Sequence, residues 1–291
     1  MLTNKTDIIT KNLSELNLRS DILSEQRRLL ISQLSKTIFE NSVDISAEGA
    51  YAIFLKETEN VSTLRDKIEF CRNICRSMGI RELSDISPFA DSDISVAAGS
   101  HEKIAMVRNN YNNRAYELFS RVISHAKSVY CPNFEECCES VASGECEFTI
   151  LPIEDNSDGK MFGFYSLLDR FELKIYAVCN IEGETKTIRY ALAGRNFQYR
   201  GIDKHQSKKH RFFEFSLTYD TDFATPDIFE AAAICRADIH KTASLSLPYN
   251  DMITRFYFSF RITKSTELFA FLMFLWLEYP QYTPIGIYSE I

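Results

Sequence analysis

SGECEFTILPIEDNSDG, residues Ser143 to Gly159, is the stretch on which the reading of the fold turns. Glu147 to Ile153 forms an essentially apolar run, with Gly144 before it and Asp155, Asn156, Ser157, Asp158 and Gly159 after it. A short run of that kind, without polar alternation, predicts a strand buried on both faces that delivers a polar turn at its carboxyl end. Open α/β sheets bind ligands at that end of their strands. Beyond the turn, Met161 to Phe171 reads as a helix and Leu173 to Ile181 as a second strand. A three-layer α/β lobe follows from that order.

The composition bounds what such a lobe can serve. The chain has 291 residues, 45% hydrophobic and 25% charged, which suggests about two soluble globular domains. Net charge is −7, and the densest basic stretch is KHQSKKHR at Lys204 to Arg211, so a nucleic-acid footprint is not expected. Eight cysteines are scattered through apolar segments, with no secretory signal before them and no paired zinc-ligand spacing. Reduced thiols in a cytoplasm, with no metal and no cofactor, are the simplest expectation. Leu268 to Leu277, the longest apolar run, is too short to cross a membrane and predicts a buried helix face.

Outward from the central turn, Asp7 to Asn41 predicts one long amphipathic helix, followed by helices over Ser46 to Thr58 and Val61 to Gly79. Ile80 to Asp93 reads as a polar connector. Ser95 to Ala98 predicts a strand that turns through Gly99 into a helix, with further helices over Asn113 to Lys127 and Phe134 to Ala142 around a strand at Ser128 to Cys131. From Arg211 the pattern is β-α-β-β-α-β, the ferredoxin-like order. The histidines, at 101, 125, 205, 210 and 240, are dispersed and have no nucleophile at motif spacing.

The central run resembles the signature of prephenate dehydratases, S-G-x-C-E-[FY]-x-[IV]-L-P-I-E followed by a polar turn and an amphipathic helix. The resemblance implies a dehydratase lobe of the periplasmic-binding-protein-like type, converting prephenate to phenylpyruvate, water and carbon dioxide. Where that family reads P-I-E-N-S-S-x-G, this chain has Pro152, Ile153, Glu154, Asp155, Asn156, Ser157, Asp158 and Gly159. Its N-x-T-R-F strand aligns with KTIRYAL, Lys186 to Leu192, which keeps Arg189 for a carboxylate but places Ile188 where the family has its proton-donating Thr. The Gly-rich turn G-x-x-S-x-x-A aligns with Gly99 and Ala105, with Glu102 at the Ser position. A second lobe is not apparent between these segments.

The flanking regions resemble parts of the same family. SEQRRLL at Ser24 to Leu30 is similar to the first helix of chorismate mutase domains, yet Thr10, Ile38 and Ala50 stand where that domain places further cations. PIGIYSEI at the C-terminus resembles the ending of the ACT regulatory domain. Thr225, Pro226, Asp227 and Leu245 to Pro248 replace the motifs through which ACT domains of this family bind phenylalanine. The expected fold is therefore α+β and multidomain. It comprises a helical chorismate mutase-like bundle (1–85), a truncated dehydratase-like lobe (92–200) and a ferredoxin-like ACT domain (208–291).

Two functions follow. The first is an active dehydratase with Arg189 as catalytic residue, Gly99, Glu154, Asp155, Asn156 and Ser157 binding substrate, and a second subunit completing the cleft. The second is a catalytically degenerate, shortened paralogue that binds a small molecule, prephenate-like or an amino acid, or a full-length relative, through its ACT-like and helical parts. Residue chemistry favours the second. A homodimer is expected, with Leu268 to Leu277 covered by a partner.

Overall fold

The computed structural model describes residues 2–42, 44–59, 61–86, 89, 102–123, 125–197, 211–218, 224–247, 250–262 and 265–291. Three helices come first: α1 (Leu2–Glu40), α2 (Ala47–Glu57) and α3 (Leu64–Ser77). Ser46 caps α2 by accepting from Gly49 N at 3.1 Å. Thr63 and Asp66 form a reciprocal capping box on α3, satisfying amides that the helix cannot pair internally.

The lobe around the central turn runs β1 (Lys103–Val107), α4 (Asn110–Phe119), β2 (Lys127–Cys131), α5 (Phe134–Ala142), β3 (Phe148–Asp155), β4 (Gly159–Lys160), α6 (Phe162–Arg170), β5 (Lys174–Glu182) and β6 (Thr187–Gly194). The C-terminal region adds β7 (Arg211–Thr218), α7 (Ala224–Ile234), β8 (Ala237–Leu247), β9 (Asn250–Ile262), α8 (Ser265–Glu278) and β10 (Thr283–Glu290). All these strands belong to one sheet in the order β2-β1-β3-β6-β5-β10-β7-β9-β8, with β4 paired to β3. β1, β2 and β3 are parallel, whereas β6 is antiparallel to both β3 and β5. β10 joins the halves, lying parallel to β5 and antiparallel to β7. Within the C-terminal region the spatial order is fourth, first, third, second.

The expected strand at Ser95 to Ala98 and the Gly99 turn lie outside the described residues. The helix expected after them is instead strand β1, with Ile104, Ala105 and Met106 fully buried between β2 and β3. HEKIAM is rich in helix formers, but parallel pairing on both edges overrides that weak preference. The helix that follows starts at Asn110, capped by Asn109, and ends at Phe119 rather than at Lys127, which opens β2.

The expected polar connector is anchored. Ile86 and Phe89 are fully buried, and Phe89 meets Phe197 edge-on at 4.6 Å between ring centroids.

The apolar helix α8 is covered within the chain. It packs against α3, and Leu268, Ala270, Phe271 and Phe274 share one core with Phe54, Phe70 and Ile74 of the N-terminal helices. Polar contacts rim that joint: Tyr51 donates to Glu278 at 2.5 Å, Lys67 pairs with Glu278 and Arg72 with Glu267, each at 2.8 Å. The apolar surface from which a partner was inferred is thus already buried. Exposed apolar surface stands elsewhere. Among the described side chains of α1, those buried lie in its last third, around Ile31 and Ile38, while Leu13, Leu16, Leu23 and Leu30 are 55–64% exposed. At 1.5 Å per residue α1 spans roughly 58 Å, and α2 and α3, at roughly 17 and 21 Å, are too short to pack along its whole length.

Candidate functional site

The polar turn after β3 is held by its own side chains. Asp155 is almost fully buried, accepts from Ser157 N at 2.8 Å and pairs with Lys186 at 2.6 Å. The Lys186 ammonium, then the Ser157 amide, hold the Asp155 carboxyl down at about 2. Asn156 N donates to Thr187 O, and Thr187 N donates back to Asn156 Oδ1, both at 3.0 Å. Asp155 and Asn156 therefore fasten the turn to the start of β6. Asn156, Ser157 and Asp158 remain exposed at its tip, and Gly99 lies outside the described residues.

Alternation along β6 separates the two residues that carry the dehydratase resemblance. Ile188 points into the core shared with α4, beside Tyr190 and Leu192. Arg189 projects from the opposite face, its side chain 13% exposed, with its Cζ 5.4 Å from the Phe212 ring centroid and Nη2 3.6 Å from Glu290. Its cross-strand neighbours are Glu154 and Asn180, and Asn180 donates to Glu290. Nε and Nη2 of Arg189 are buried and have no hydrogen-bond partner. His240 packs against Phe212, ring centroids 4.7 Å apart and planes tilted by 52°, and burial, then the nearby Arg189 charge, pushes its imidazole below the usual range.

The C-terminal strands close over this face. Lys241 of β8 pairs with Glu154 of β3, spanning the concave side of the curled sheet. Beneath it lies a buried network that the sequence did not announce. Lys160 of β4 donates to Tyr165 at 2.6 Å and pairs with Glu214 of β7, which also accepts from Tyr165 at 2.9 Å and from Tyr288 at 2.6 Å. Burial alone would raise the Glu214 carboxyl, but Lys160 and the two tyrosines outweigh it and hold it below the ordinary range. The one available signal was an acid inside the apolar strand RFFEFSLT.

At the same end of the sheet, a cleft of about 730 Å³ lies between the start of α4 and the β5–β6 turn, lined by Asn110, Tyr111, Arg114, Glu182 and Gly183. The turn that follows β1 reads Val107, Arg108, Asn109 and Asn110, so it contains neither the glycine nor the serine of a Gly-rich substrate turn. Glu102 sits at the opposite end, before β1, where burial and then Glu147 raise its carboxyl to about 6. Glu102 and Ala105, the latter inside β1, therefore do not stand in a turn beside the polar turn, and Gly99 lies outside the described residues.

The prephenate dehydratase family model matches residues 93–210, the segment that contains β1 to β6. Over that segment the chain is similar to the prephenate dehydratase family. Two solved structures share the fold of this segment and its surroundings, and a third scores just below them. Prephenate dehydratase from Streptococcus mutans superposes with a TM-score of 0.55 at 16% identity, covering 65% of this chain and 98% of that one. GqqA, described as a novel type of quorum quenching acylase, gives 0.50 at 15% identity, covering 65% and 95%. The Arthrobacter aurescens prephenate dehydratase in complex with L-Phe gives 0.49 at 12% identity, covering 64% and 90%. No protein of curated function matches the chain in sequence. Among the described residues no helix is long and apolar enough to cross a membrane.

Proposed function

We propose that this prephenate dehydratase-family protein has lost dehydratase turnover and acts by binding. The geometry of β6 carries the reading. Ile188 stands where the family has its proton-donating Thr and is buried against α4, on the face away from Arg189. Arg189 is enclosed by Phe212, Glu290 and the Glu154–Lys241 bridge rather than open to a cleft. A carboxylate of prephenate would have to displace Glu290 and enter beside Glu154, and repulsion at that range works against binding. In this reading the C-terminal β-α-β-β-α-β unit is ACT-like, on its strand order, and serves as a structural wall. The N-terminal helices are a packing element without mutase activity. Arg27, their counterpart to a mutase cation, is spent on Asp66, which it contacts at 2.7 and 2.8 Å, and on Val61 O.

One observation favours the active alternative: Nε and Nη2 of Arg189 are buried without a hydrogen-bond partner, Nη2 standing only in an ion pair with Glu290 at 3.6 Å, and a buried donor in that state gains from an incoming carboxylate. An assay of phenylpyruvate formation from prephenate, on the purified full chain, separates the two. The expected result is no turnover above the uncatalysed rate, since loss of the acid alone removes about 10²–10⁴-fold. Turnover that Arg189→Ala abolishes would overturn the proposal.

A further inference from the structure

A cavity of about 810 Å³ opens at the other end of the sheet, where β6 and β7 finish and β5 and β10 begin. Arg189 and Arg195 lie six residues apart on and just beyond β6, so this cavity is roughly 20 Å from the polar turn. Its size falls in the range of small-molecule sites.

The lining combines an apolar body with a concentration of positive charge. Phe171, Phe197, Tyr257 and Ile285 supply apolar wall, and four basic residues face two acidic ones in a chain whose net charge is −7. Arg170 is spent on Glu135, at 2.7 Å. Lys174, Arg195 and Arg255 remain.

Each of these three is placed rather than incidental. Lys174 lies over the Phe197 ring at 5.0 Å, donates to Pro284 O at 3.2 Å, and is lowered by burial from the usual lysine range. Arg255, 16% exposed, pairs through Nη1 with Asp169 at 2.5 Å, while its buried Nε has no hydrogen-bond partner. Among the described residues, Arg189 and Arg255 alone carry buried guanidinium nitrogens in that state. Arg195 forms no ion pair among the described residues, and it crosses Gly144, whose φ is +84° and where a Cβ would lie 2.7 Å from Arg195 Nη1. The SG of the central sequence run thus gives this guanidinium its room.

A buried N–H without a partner and an unpaired guanidinium beside aromatic walls are what an organic anion satisfies: the carboxylate takes the donors, and the body is removed from water. We infer that this cavity binds an organic carboxylate with an aromatic or bulky apolar body, held by Arg195 and Arg255. The site is independent of turnover at Arg189, because it lies at the opposite strand ends.

Titration calorimetry on the full chain with 3-phenylpropionate tests it, using 3-phenylpropan-1-ol and acetate as the body and the charge taken separately. The expected outcome is saturable one-to-one binding of the carboxylate at about 1 mM or tighter, reasonable for a ligand of that size. The alcohol and acetate should each bind at least about tenfold more weakly. Arg195→Gln, at an exposed position with no ion pair to lose among the described residues, should weaken 3-phenylpropionate by about tenfold, as losing a charge-assisted contact predicts. Arg189→Gln should leave that affinity unchanged. Absence of saturable binding by a folded protein at concentrations that fill a millimolar site would overturn the inference. So would an affinity indifferent to Arg195→Gln, or one lost in Arg189→Gln instead.

Discussion

At Ile188 the chemistry of one residue and the geometry of one strand point the same way. The side chain is 8% exposed and sits among Met106, Tyr190 and Leu192. Restoring the family's residue by Ile188→Thr would put a hydroxyl into that apolar cluster and remove a methylene from it. We expect no gain of dehydratase activity and a loss of about 1–3 kcal/mol in urea unfolding. A catalytic gain would mean that β6 presents residue 188 to the other face. The Asp155–Lys186 pair predicts a pH dependence of definite sign. Its folded carboxyl is depressed from 3.8 to about 2, so the unfolded chain takes up the proton first as pH falls. The contribution of the pair is complete above about pH 4 and disappears as pH falls towards 2. Urea midpoints followed through that window should drop in the wild type and drop less in Lys186→Met. Equal slopes would show that the turn is held by the Asn156–Thr187 bonds alone.

The central elements were legible in the sequence because their patterns are local. The bounds of β3, α5 and α6 follow from the sequence within two residues, since an apolar run or a helical stripe between polar punctuation needs no partner to be recognised. β1 was misread because KIAMV becomes a strand only when β2 and β3 flank it. Glu154, Asp155 and Arg189 stand out through motif likeness, but their bonding does not, because Lys241, Lys186 and Glu290 respectively reach them from segments distant in sequence. The covering of α8 was hidden for the same reason: an apolar helix declares that it is buried but not by what. α3 supplies the cover, so the case for a dimer moves to α1. Ile9, Leu16, Leu23 and Leu30 recur every seven residues and are 59–64% exposed, with Leu13 on the same seam. That is a coiled-coil repeat without its second strand. We expect α1 to pair with α1 of a second copy, and light scattering should give a dimer for the wild type. Leu16→Glu with Leu23→Glu should give a folded monomer, as both positions are solvent-exposed within one chain. A dimer that survives both changes would place the interface elsewhere.

The whole molecule is bound together by one sheet and by one residue where its halves meet. β10 approaches β5 so closely that a Cβ at Gly286 would lie 2.5 Å from the backbone oxygen of Ile175. Only glycine fits there, and the Lys160–Glu214–Tyr165–Tyr288 network seals the concave side of the same joint. Chains above about 150 residues commonly unfold in stages, so a single transition here would be a consequence of that joint. The protein has one tryptophan, Trp276 on α8, packed in the core that the C-terminal region shares with the N-terminal helices. Its fluorescence reports on that half, whereas far-ultraviolet circular dichroism reports on every helix and strand. We expect the two signals to follow one urea transition in the wild type. Gly286→Ala should part them, because the added methyl forces β10 away from Ile175 while leaving each half its own core, the dehydratase-like half around Leu151 and Ala191 and the other around Phe215 and Phe271. Two separated transitions in the wild type would show that the continuous sheet does not couple the halves. Coincident transitions in Gly286→Ala would place the coupling in the buried Lys160–Glu214 network instead.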